Sequence, residues 1–150
     1  MPANIQTHNI YNRMGTWGNR NFENDAAADF LNEFRDMPTD AVILEALTAV
    51  VEAGAEETYI EADEASAALA AAEVVAASLA KPSPDFPEAL SAIVQNLGSG
   101  ENNHIRKLAR KAVKQVLRDS ELQELWTEQG EPNEWQAIQR DLLTRLKKVR

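Results

Sequence analysis

ASAALAAAEVVAASLA, Ala65 to Ala80, is the stretch on which the fold turns: sixteen residues, nine of them alanine, with a single charge at Glu73. Alanine loses no side-chain entropy on entering a helix, and neither Gly nor Pro interrupts the run. The composition therefore predicts a helix over about residues 59–80. Leu69, Val74, Val75 and Leu79 spread apolar surface around the whole circumference. A helix apolar on every side is either buried in protein or spans a membrane. Sixteen residues fall short of the ~20 that spanning needs, and an acid in the middle argues further against it. Small side chains instead let neighbouring helices approach to the lower end of the usual ~8–10 Å. The stretch is expected to be the central helix of a helical domain.

Burial would leave Glu73 in need of a partner, because an unpaired carboxylate away from water is costly. Three placements are open. It can be structural, bonded to a Trp indole, a backbone N–H or an Arg; it can face a ligand cleft; or it can face solvent. Carboxylates amid apolar surface gather at functional sites, although structural networks displace their pKa values too.

The rest of the chain reads as helices around this one. A length of 150 residues suits one domain that buries ~70% of its unfolded surface. There is no Cys, which excludes disulfides and Cys-based metal sites and agrees with a cytoplasmic protein. The first thirty residues lack a basic region followed by an apolar core, so no secretion signal is expected, and no membrane segment either. Charge is uneven: residues 1–100 hold four Lys/Arg against sixteen Asp/Glu, and residues 101–150 hold eleven against eight, giving −12 and +3 and the net −9. Such asymmetry marks either an interaction surface or two halves that pack together.

Residues 1–13 are polar and patternless and read as a flexible N-terminal extension to a single helical domain at 14–150. Trp17, between Gly15 and Gly18, is expected to anchor the start of the domain in the core, with a short extended piece possible across 14–22. Asn24 caps a first helix to about Asp36, with Asp25 where the helix dipole favours an anion and Phe22 placed to staple onto the first turns. Thr39 caps a second helix ended by Gly54. Asp85 and Glu88 form a capping box for a short helix to Gly98, followed by a loop through Asn103. A fifth helix, about His104 to Leu117, buries Ile105, Leu108, Ala109, Ala112 and Val116. Its other face carries Arg106, Lys107, Arg110, Lys111, Lys114 and Arg118. Ser120 with Gln123, and Asn133 with Gln136, open two more helices, the first stopped at Gly130. The fold class is all-α, about seven helices bundled around the Ala-rich one.

Three clusters in this order are similar to a known family: Met14-Gly15-Thr16-Trp17-Gly18 leading into Phe22-Glu23-Asn24-Asp25-Ala26; Ala70 to Ala77 around Glu73; and Ser120-Glu121-Leu122 with Leu125-Trp126, Trp135 and Leu143-Thr144-Arg145-Leu146. Together they resemble the bacterial domain of unknown function 4259 family, from Met14 to about Lys147. Asn19-Arg20-Asn21 departs from the small-residue turn the family pattern implies there. The family has no established activity, so the resemblance implies no catalytic residue. It does single out Trp17, Asn24, Asp25, Glu73, Ser120 and Trp126 as motif members.

No residue set completes a catalytic or metal site. Glu101-x-x-His104 has di-iron spacing but lacks the second pair and the two further glutamates. A carboxylate-only Mg²⁺ or Ca²⁺ site would draw on Asp25, Asp29, Glu61, Asp63, Glu64 and Glu73, though solvated faces explain these acids as well. Without Cys, a Gly-x-Ser-x-Gly elbow or a His base beside a Ser, nucleophilic catalysis has no support, and no cofactor is implied. Six cations on the fifth helix could track a phosphate backbone, but the net charge and the lack of interleaved aromatics argue against nucleic acid. The sequence favours a non-catalytic interaction or regulatory module of the immunity-protein or antitoxin kind, with another protein as partner. The alternative is a small enzyme or ligand-binding protein with a carboxylate-lined pocket, Glu73 acting as acid/base, Asp25 as its helper and Trp17 as an apolar wall.

Overall fold

The computed structural model describes residue 16, residues 18–97 and residues 103–148. The expectations for residues 1–13, for Trp17 and for the loop at 98–102 fall outside these. Among the described residues seven helices follow one another: α1 Asp25–Asp36, α2 Asp40–Ala55, α3 Ala62–Ser78, α4 Glu88–Gln95, α5 Asn103–Arg118, α6 Glu121–Thr127 and α7 Glu134–Arg145. No strand occurs among the described residues; the 14–22 region contributes an isolated antiparallel bridge between Thr16 and Asn24.

The alanine-rich helix is α3, and it packs against all six of the others. Between Ala65 and Ala77 every residue is buried except Ala67, which is half-buried. Side chains this small leave room for α1, α2 and α5 to close directly on the α3 backbone. Phe34, Ile43, Leu47, Ile105 and Leu142, supplied by the surrounding helices, fill the remaining core.

Both ends of α3 are held by partners distant in sequence. At its N-terminus Glu61 makes no side-chain cap. Instead the Glu121 carboxylate of α6 accepts the Ala62 N–H at 2.8 Å, and the Glu121 N–H donates to the Ile60 carbonyl at 2.9 Å. At the C-terminus Ala80 takes a left-handed conformation, φ 65°. The Lys81 N–H then returns to the Ala76 carbonyl and the Ala80 N–H to Ala77, both at 2.9 Å, a Schellman closure with alanine where glycine is usual.

Several local expectations are corrected. Gly54 does not end α2: the left-handed residue is Glu57, φ 58°, with the Thr58 N–H on the Ala53 carbonyl. Gly54 sits inside the last turn, where a Cβ would fall 2.3 Å from Gln115 Oε1, so it is there for the approach of α5. Asp85 and Glu88 form no capping box, because the N-cap of α4 is Pro87 and Asp85 accepts the Ser83 hydroxyl at 2.8 Å. The Phe22 ring meets Phe86 edge-on at 5.8 Å. Thr39 occupies the N-cap of α2 without a side-chain bond. Asn24, Ser120 and Asn133 do cap, accepting from Ala27, Gln123 and Gln136.

Candidate functional site

Glu73 is 1% exposed and both its oxygens are engaged. Arg145, the last residue of α7, donates Nη1 to Oε1 at 2.9 Å and Nη2 to Oε2 at 3.3 Å. Asn21 donates to Oε2 at 2.7 Å. The Asn21 and Gln139 amides also exchange two bonds of 3.0 and 2.8 Å, and Gln139 is fully buried. Arg145 adds the Lys81 carbonyl at 3.2 Å and Asp141 at 2.8 Å. The network thus ties the loop at 18–24, α3, the turn after α3 and α7 to one point. Burial alone would lower the Arg145 pKa, but its hydrogen bonds and charge pairing with Glu73, then Asp141, outweigh this and hold it above the usual guanidinium value. Of the placements open to Glu73, its geometry supports the structural one with an Arg partner.

Asn21 reaches this point because its loop is tightly folded. The Thr16 hydroxyl bonds the Gly18 and Glu23 carbonyls, and the Glu23 carboxylate accepts the Arg20 N–H at 3.0 Å. That carboxylate occupies the space a Cβ on Gly18 would need. Asn24, besides capping α1, donates to the Asn21 carbonyl at 3.4 Å. Trp126 is buried near Asn21, Asn24 and Leu69 around a void of about 10 Å³. Ser120 lies elsewhere, fully buried, donating to the Val116 carbonyl at 2.8 Å while it caps α6.

Asp25 is exposed and belongs to a different feature. A groove of about 560 Å³ runs between α1, α2 and α3. Its floor is apolar, made by Ala26, Phe30, Val42, Ala46, Ala49 and Ala67. Its rim is entirely acidic: Asp25, Asp29 and Glu33 from α1, Glu45 from α2, and Asp63 and Glu64 from α3. Past Glu33 and Glu45 it continues into a depression of about 340 Å³ beside Asp36 and Met37, where Met37 is 57% exposed. None of these seven carboxylates has an ion-pair partner among the described residues. From Asp25 to Glu64 the chain holds twelve acids and one cation, Arg35. The N-termini of α1 and α3 offset part of the charge at Asp25, Asp63 and Glu64. They do nothing for Glu33 and Asp36, near the opposite end of α1.

The basic face expected on α5 is divided. Arg106 is 7% exposed and donates to the Leu146 carbonyl at 3.0 Å, and Arg110 donates to Leu143 at 2.7 Å. These carbonyls lie at the C-terminal end of α7, so the two arginines act as its C-terminal caps. Arg118 is held by Gln115, while Lys107, Lys111 and Lys114 are exposed. No group of three or more acidic or His side chains is disposed to hold a metal ion among the described residues, and no described helix is long and apolar enough to cross a membrane.

Gln139, Asn21 and Arg106 were not anticipated in their roles. Gln139 stands in the stripe Trp135, Leu142, Leu146, where an apolar residue fits the pattern, and a polar side chain there signals a buried bond. No curated protein and no solved structure matches the chain. A family model does, over residues 15–138, and the chain belongs to that family, the domain of unknown function DUF4259.

Proposed function

We propose that this chain is a non-catalytic protein-interaction module, of the immunity-protein or antitoxin kind, acting by presenting a surface to another protein. The observation that carries this reading is the groove of about 560 Å³ with an apolar floor and an acidic rim that has no ion-pair partner among the described residues. Recognition surfaces combine desolvated apolar contact with charge that orients the partner. A net charge of −9 speeds encounter with a positively charged partner. The state of Glu73 also supports a non-catalytic reading: a general acid or base must reach its substrate, and this carboxylate is enclosed and fully bonded.

The test is affinity capture of the full chain from its source cell, then direct binding measurements with each purified candidate. A partner that binds saturably with one-to-one stoichiometry is the expected result. Recovery of nothing above background, or steady turnover of a substrate by the isolated chain, would overturn the reading.

A further inference from the structure

From the groove we infer the chemistry of that partner: a cationic amphipathic helix, seated in the channel between α1, α2 and α3 with its apolar stripe on Phe30, Val42 and Ala46 and its Lys/Arg flanks against the rim. The inference rests on the interaction reading above and deepens it. Three observations converge on this occupant. The acids of α1 fall at Asp25, Asp29, Glu33 and Asp36, one stripe about 16 Å long at 1.5 Å per residue. A helix laid along it presents its own side chains with the same periodicity, which an extended peptide does not. The floor is built from alanines and one Val beside Phe30, leaving a channel rather than a filled surface, and it is the one place where the middle of α3 opens, at Ala67. Like charges three or four residues apart on a helix destabilise it. The α1 stripe therefore works against the free fold, and a cationic partner relieves it.

A second copy of the chain fits less well. Beyond Arg35 on α1 itself, its exposed cations among the described residues lie on α5, at Lys107, Lys111, Lys114 and Arg118, and on or just after α7, at Arg140, Lys147 and Lys148, and neither helix carries an exposed large apolar side chain to fill the floor.

The probe is a synthetic peptide of about eighteen residues made of Leu and Lys, with leucines at i, i+3, i+4 and i+7. Its control has the same composition with Leu and Lys alternating. Calorimetry with the full chain at low salt is expected to show binding of the helical-pattern peptide alone. The triple substitution Asp29→Asn, Glu33→Gln, Glu45→Gln should weaken it by about ten- to hundredfold, since each exposed charge pair contributes modestly. Lys107→Glu with Lys111→Glu should leave it unchanged. The triple variant should also melt higher than the parent, so lost binding cannot be ascribed to misfolding. Absence of binding, equal binding of both peptides, or indifference to the triple substitution overturns the inference. So does a dimer of the free chain that the triple substitution dissociates, because a second copy then fills the groove. The two readings fail separately: a natural partner that binds parent and triple variant equally leaves the interaction module standing and removes the groove from it.

Discussion

Replacing Arg145 by Met removes the cation that faces Glu73 while keeping most of the side chain's length and packing. Breaking a buried ion pair from one side costs ~3–5 kcal/mol, because the remaining charge is stranded. Two features place this case at the low end. Arg145 keeps 14% of its side chain in water, and Glu73 retains the bond from Asn21, so the expected loss is ~3 kcal/mol. For a domain of this length each kcal/mol moves Tm by ~2–4 °C, which gives a fall of ~6–12 °C. Glu73→Gln should cost less, ~1 kcal/mol, since it leaves Arg145 near water with Asp141 and the Lys81 carbonyl. The double variant strands no charge and should cost ~2 kcal/mol less than the sum of the singles. Urea unfolding followed by far-UV circular dichroism measures all three through the shift in midpoint at constant slope. With its pKa raised, Arg145 contributes stability that is complete below the ordinary guanidinium value and lost only above the raised one. The penalty should therefore not vary with pH across the working range on its account. An Arg145→Met variant within ~1 kcal/mol of the parent, or strict additivity in the double, would refute the claim that this pair fastens α7 to α3.

The Tyr59 phenol is pushed up to about 12 from 10.0, first by desolvation, then by its hydrogen bond to Glu124 and the charges of Glu121, Glu124 and Asp119. Its raised value favours the fold below 10.0, and that contribution is lost as pH rises through about 12. Phenolate absorbance in a Tyr11→Phe background should show the high value, and Glu124→Gln should bring it down. Gly54→Ala should be neutral to destabilising by ~1 kcal/mol, because its helix-propensity gain is offset by displacing Gln115 from Arg118 and Asp119. In a Gln115→Ala background the same change should instead stabilise by up to ~1 kcal/mol, and urea midpoints read the change of sign. Ala80→Gly should stabilise by ~0.5–1 kcal/mol by relieving the left-handed alanine, with a higher melting temperature as the check.

What could be read from the sequence and what could not separate along a physical line. The seven helices, the central place of the alanine stretch and the caps at Asn24, Ser120 and Asn133 all follow from interactions spanning four residues or fewer. Propensity, apolar periodicity and side-chain bonds to the first turn act at that range and need no fold to be inferred. The need of Glu73 for a partner was legible too, because the stretch around it leaves no water. Its partner was not. Arg145 lies 72 residues away and Asn21 lies 52 away. The family match, ending at residue 138, stops short of both Gln139 and Arg145.

The two charged surfaces divide along the same line. Arg106 and Arg110 looked like part of an exposed basic stripe, but they donate to carbonyls at the end of α7. Asp25, Asp29, Asp63 and Glu64, acids that solvated faces would explain as well, converge with Glu33 and Glu45 on one groove. Local chemistry determined where helices begin and what each would bury. Only the packing of α1, α2, α5 and α7 around α3 decided which charges would be neutralised inside the molecule and which left facing outward. That outcome depends on distances between helices, and no single segment carries them.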